Sequence, residues 1–79
     1  MTIDIIKKII SSNLNIPIDK IKPKSHFVRH LNADSLDVYQ IVMNIETEYG
    51  FEFSTKEISN FKRVNDIVKM VDEKMLMGN

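Results

Sequence analysis

Apolar residues return every three or four positions at the start of the chain, at Ile3, Ile6, Ile10 and Leu14. That spacing marks one face of an amphipathic helix, and Ile5 and Ile9 widen the stripe. The pattern then breaks. Pro17 and Pro23 punctuate a stretch of turn residues with isolated apolar anchors at Ile16, Ile21, Phe27, Val28 and Leu31. Residues 15–34 therefore read as a long ordered loop, tied down by its anchors. A second helix is expected from Ser35, with Asp34 as N-cap and Asp37, three residues on, as the analogue of a capping box. It should end at Tyr49, because Gly50 suits the left-handed backbone just past a helix end. Phe51 and Phe53 anchor the next connection. Residues 56–61 fit one short helical turn ending in Ile58 and Phe61, and Val64, Ile67, Val68, Val71 and Met75 carry a last helix. The tail, Leu76 to Asn79, is expected to fray. No segment reads as a strand. The fold class is all-α: a small bundle of three main helices plus one short helix, with a long loop between helices one and two.

At about 100° per residue, the second helix has two apolar faces. Val38, Val42, Ile45 and Tyr49 fall on one side, with Ile41 at its edge, and form the core face. Leu36, Gln40, Met43 and Thr47 fall opposite, so Leu36 and Met43 should be exposed. Asp37, Asn44 and Glu48 flank that outer side on one edge, Tyr39 and Glu46 on the other. An apolar pair within acids suits protein docking, since burial supplies free energy and charge orients the partner. Single exposed apolar residues are also ordinary on any surface, and the wheel alone leaves both readings open.

The chain has 79 residues, enough for one domain over 1–79. Hydrophobic residues make up 43% and charged residues 28%, a balance that argues against wholesale disorder. Without cysteine there can be no disulfide, no Cys-ligated zinc and no thiol nucleophile. No apolar run is long enough to cross a bilayer. The start of the chain mixes Lys7 and Lys8 into its apolar pattern, unlike a signal peptide, so a cytoplasmic location is expected. The zero net charge hides an uneven distribution. Residues 1–30 carry six Lys/Arg against two acids, residues 31–55 carry five acids and no Lys, Arg or His, and residues 56–79 carry five Lys/Arg against four acids. The acidic middle would attract a basic protein surface and repel nucleic acid.

Ser35, placed first in the second helix, should present its hydroxyl at the helix N-terminus, where free N–H groups and the dipole favour an anion. Nothing nearby would make it a strong nucleophile, so it reads as an acceptor of a modification or simply as a helix-start residue. His26 and His30 have a chelating spacing but no evident third ligand, and are expected to be polar loop residues rather than a metal site. Ser35, His30 and Asp34 include the residue types of a hydrolase triad but are too crowded to align as nucleophile, base and orienter. Lys20, Lys22 and Lys24 lack interleaved aromatics and read as solvated. Met70, Met75 and Met77 read as core or tail residues.

The run Phe27-Val28-x-x-Leu31-x-Ala33-Asp34-Ser35-Leu36-Asp37 resembles the phosphopantetheine attachment motif of the acyl carrier protein family. Val42-Met43, Glu46-x-Glu48-Tyr49, Lys7-Lys8-Ile9-Ile10, Glu52 and the Val64/Ile67/Val68/Val71 pattern follow in similar order, so the resemblance covers nearly the whole chain without gaps. It implies 4′-phosphopantetheine on Ser35, donated from coenzyme A by a phosphopantetheinyl transferase, with acyl groups held as thioesters on the arm's thiol. It implies that Asp34 assists the transferase. Leu36, Asp37, Met43 and Glu46 would face partner enzymes. Phe27, Val42, Ile45, Tyr49, Ile58 and Val68 would shelter the acyl chain. The implied function is a monomeric carrier, not an enzyme, delivering acyl groups in fatty acid biosynthesis or in a dedicated polyketide, aminoacyl or lipid pathway. An unmodified helical interaction module is the remaining alternative.

The chain departs from its relatives in charge. It is neutral where the family is usually strongly acidic. Gln40 and Thr47 stand where fatty-acid carriers commonly have glutamates, Thr55 and Lys56 lie in a usually acidic region, and Ser54 replaces a frequent proline. A docking surface with a smaller electrostatic share is implied, and a specialised carrier fits it.

Overall fold

A computed structural model describes residues 1–77. Four helices follow in order: α1 (Thr2–Leu14), α2 (Ser35–Tyr49), α3 (Thr55–Ser59) and α4 (Val64–Met77), with one 3₁₀ turn at Ile18–Lys20 inside the long loop. There is no strand among the described residues, only an isolated bridge between His26 and Arg63. Both ends of α2 are built by the expected devices. The Asp34 and Asp37 side chains cap each other's backbone N–H groups, and Gly50 closes the helix at φ 76°. Helix α1 ends on Asn15, also left-handed at φ 56°.

The core draws on every part of the chain. Ile6 and Ile10 come from α1, Ile41, Val42 and Ile45 from α2, and Val64, Ile67, Val68 and Val71 from α4. The loop contributes Ile21, Phe27, Leu31 and Ala33, and the α2–α4 connection contributes Phe53 and Phe61. The loop is thus a structural layer. It is also stitched to the start of α4. Phe27 N donates to Lys62 O (3.0 Å), Val64 N to Ser25 O (3.0 Å) and Asn65 N to Pro23 O (2.9 Å). Buried Ser25 in turn accepts from Lys22 N at 2.9 Å. These bonds satisfy backbone groups that a buried loop would otherwise strand.

Several expectations need correction. Val28 is no anchor: it is 59% exposed, while its neighbour Phe27 is buried. Ile41, at the edge of the apolar arc of α2, is nonetheless fully buried, while Val38 and Tyr49 within the arc are only half-buried. Helix α2 packs chiefly against α1. Met75 is exposed, because the stripe of α4 leaves the core beyond Val71. The short helix starts at Thr55 and ends at Ser59, so Phe61 lies beyond it. Ser54 caps it through a second capping box with Glu57, a stronger start signal than the apolar spacing used to place it. Leu76 and Met77 belong to α4 rather than to a frayed tail; the expected fraying of Gly78 and Asn79 falls outside the described residues.

Candidate functional site

Ser35 is exposed and is the first residue of α2. The Asp34 carboxylate accepts Asp37 N at 2.9 Å, and the Asp37 carboxylate accepts Asp34 N at 3.1 Å. This reciprocal cap fixes the first turn and leaves the N–H groups of Ser35 and Leu36 without intrahelical acceptors. The hydroxyl therefore stands where backbone donors and the helix dipole favour a phosphate. His30 and Asp34 do not serve Ser35. The His30 Nδ1 accepts His26 N at 2.8 Å, and Asp34 is committed to the cap. No grouping of three or more His, Cys, Asp or Glu able to hold a metal occurs among the described residues.

Beside Ser35 opens a cleft of about 350 Å³. Its apolar wall comes from Phe27 in the loop, Val38 of α2, Ile58 of α3 and Phe61, with Val28 and Tyr39 completing the apolar lining. Its polar lining is His26, Thr55, Ser59 and Lys62. Helix α3 forms one side because its capping box and the Phe53–Phe61 edge-to-face pair (centroids 5.1 Å apart) hold it there.

Of the six residues expected to shelter an acyl chain, Phe27 and Ile58 line this cleft. Val42, Ile45 and Val68 are buried in the core instead, and half-buried Tyr49 stacks on Phe51 with centroids 5.9 Å apart. The cleft residues His26, Val38, Tyr39, Phe61 and Lys62 were missed. The approach of the loop to residues 61–64 brings them together, and no local pattern in the sequence announces that approach.

The expected outer face of α2 is present. Leu36 is 77% exposed and Met43 57%. Asp37 and Glu46 are half-buried and have internal duties: Asp37 in the cap, Glu46 accepting Phe53 N at 2.8 Å. Both histidines are part of the loop. The His26 Nδ1 accepts Val28 N (3.2 Å) and Arg29 N (3.3 Å), so the pair shapes the turn that leads to Ser35. The pKa of His26 is pushed below its ordinary value by desolvation and by the positive charges of Arg63, Arg29, His30 and Lys62.

Comparison with known proteins agrees with this geometry. Residues 4–71 match the family described as "Phosphopantetheine attachment site". The acyl carrier protein of Helicobacter hepaticus is 34% identical over 71 residues, covering 90% of this chain and 93% of that protein. That of Chlamydia muridarum is also 34% identical over 71 residues, covering 90% and 92%. A solved Mycobacterium tuberculosis protein described as an acyl carrier protein superposes with a TM-score of 0.86 at 25% identity, covering 91% of this chain and 96% of its own. The chain belongs to the acyl carrier protein family, whose members carry covalently bound 4′-phosphopantetheine.

Proposed function

We propose that Ser35 is the attachment point of 4′-phosphopantetheine and that residues 1–79 act as one monomeric, cytoplasmic carrier domain rather than as a catalyst. The observation that supports this most is the exposed Ser35 at a helix start, next to a cleft able to receive what the arm carries. The residues present fit the group: a free hydroxyl, backbone donors for a phosphodiester, and no competing base on the hydroxyl. In loading, the Ser35 oxygen takes the phosphorus on the pantetheine side of coenzyme A. The bond from that phosphorus to 3′,5′-ADP breaks, and the serine proton passes to the transferase. The bound group supplies a thiol for thioester formation, which this cysteine-free chain cannot provide. Asp34 would be read by the transferase. Leu36 and Met43, with Asp37 and Glu46 at their margin, would form the surface for acyl-handling enzymes.

The pathway we favour is fatty acid biosynthesis, which the resemblance of the Phe27–Asp37 run and its flanks to the acyl carrier motif implies. A dedicated pathway is the second reading, favoured by Gln40 and Thr47 on the docking face and by Lys62 in the cleft. Intact mass after incubation with coenzyme A and a transferase tests the attachment. One phosphopantetheine adduct is expected, and none in Ser35→Ala; an adduct that persists in that variant refutes the site.

A further inference from the structure

The cleft beside Ser35 is apolar along one side and basic at Lys62. Its lining includes no carboxylate. The neighbouring acids are committed elsewhere. Asp34 and Asp37 cap each other, and one oxygen of Asp66 accepts the backbone N–H groups of both Lys62 (2.9 Å) and Arg63 (2.8 Å). Among the described residues the ion pairs are those of the Met1 terminus with Asp4 and of Lys74 with Glu57, so the Lys62 ammonium has no carboxylate within 4.0 Å. Arg63 is held away, its guanidinium donating to Lys24 O at 2.6 Å. Thr55 adds a hydroxyl to the same lining, whereas the Ser59 hydroxyl donates to Lys56 O at 2.7 Å. His26, in the same lining, has its pKa pushed below the ordinary value by desolvation first and then by cations that include Arg63, Arg29 and Lys62. Among the described residues Lys62 is thus the one formally charged side chain in the lining of the cleft, although the segment that bears Ser35 is acidic.

We propose that this cleft accepts acyl groups whose far end is anionic, dicarboxylic half-thioesters above all, and that Lys62 is the residue that selects them. The proposal rests on Ser35 bearing the arm. The acyl methylenes would lie against Phe27, Ile58 and Phe61, with the terminal carboxylate at Lys62. A wholly apolar acyl group would gain the same wall but leave the ammonium without a counter-charge.

The test compares two cargoes of equal carbon count. Glutaryl and valeryl groups differ only in that a terminal carboxylate replaces a methyl. Each is loaded from its coenzyme A thioester by a transferase that tolerates acyl groups, and intact mass verifies the adduct. Thermal melts then compare the two forms of the native chain, of Lys62→Gln and of Lys62→Arg. The glutaryl form should melt roughly 2–5 °C above the valeryl form. The gap should close in Lys62→Gln, survive in Lys62→Arg and shrink in high salt. Amide shifts of Ser59 and Lys62 should differ between the two cargoes in the native chain. Equal melting of the two native forms, or a gap untouched by Lys62→Gln, overturns the selection proposal while leaving the carrier reading intact. Absence of any adduct refutes the carrier reading, and the cargo proposal with it.

Discussion

Asp34 and Asp37 cap each other's backbone N–H groups, at 2.9 and 3.1 Å, on either side of Ser35. The same aspartate that the transferase would read is therefore also a helix cap. The two roles can be separated. Asp34→Ala removes both, and should cost about 0.5–2 kcal/mol. At roughly 4–8 °C per kcal/mol for a domain of this size, the loss is visible in a melt. Asp34→Asn keeps an oxygen able to accept Asp37 N and should melt within a few tenths of a kcal/mol of the native chain. If its loading rate nevertheless falls, the carboxylate has a role beyond the cap; unchanged loading in Asp34→Asn would remove Asp34 from transferase recognition.

Exposed and buried apolar residues alternate on α2, and substitutions should sort them. Leu36→Ala and Met43→Ala should leave helical circular dichroism and melting nearly unchanged, while slowing turnover by enzymes that accept the loaded carrier. Ile41→Ala removes a fully buried side chain and should cost about 2–5 kcal/mol, a large share of the stability of a small domain. Melting curves of the three variants check this; a collapse of Leu36→Ala would contradict its exposure.

The histidine turn makes acid a selective stress. Desolvation, then the charges of Arg63, Arg29, His30 and Lys62, hold His26 below its ordinary value of 6.5. Over the interval between the folded value and 6.5 the unfolded chain binds more protons, so stability rises with pH there. The contribution is complete above 6.5 and is lost as pH falls toward the folded value. Geometry agrees, because a proton on Nδ1 of His26 would abolish the acceptor for Val28 N and Arg29 N. Glu57 acts in a lower window. Its backbone bond from Ser54 N, with Lys74 nearby, holds it below 4.5, so its contribution is present above 4.5 and disappears as pH falls through the folded value. Melts from neutral pH to about pH 5 should show a decline that His26→Gln flattens. An NMR titration of His26 lying at or above 6.5 would count against this account.

The parts of this fold that were legible in the sequence are those governed by local rules. The ends of α2 could be read because Asp34, Asp37 and Gly50 act within a few residues of themselves. The stripe of α1 could be read because its period is local too. The same cap placed Ser35 first in α2, while its reading as an attachment point came from the resemblance of the Phe27–Asp37 run to the acyl carrier motif. What escaped depends on contacts between distant segments. The full burial of Ile41, at the edge of the apolar arc, could not be read because a helical wheel does not know how many neighbours will pack on it. Phe27 is buried and Val28 exposed where the loop meets residues 61–64, a long-range approach that no local pattern marks. The cleft could not be drawn for the same reason: Phe27, Ser35, Ile58 and Lys62 come from four different segments.

The position of the cleft also predicts how stability should depend on acyl length. Each methylene that leaves water contributes about 0.8 kcal/mol, and a group that binds only the folded state raises its stability. The cleft offers about 350 Å³, walled by Phe27, Val38, Ile58 and Phe61. Val42 and Ile45 lie fully buried in a closed core, so space for a longer chain must be opened by moving them apart. Such opening forfeits packing contacts that offset the burial of further methylenes. Melting temperature should therefore rise over the first few carbons of a saturated acyl series and then level off. Ile58→Ala should lower the rise for short chains, since it removes part of the wall they would contact. Melts of the holo form and of a graded acyl series, at one pH and salt, measure the curve. A rise that continues through long chains would show that the core between Val42, Ile45 and Val68 opens to take them. A flat line from the holo form onward would leave the acyl group in solvent.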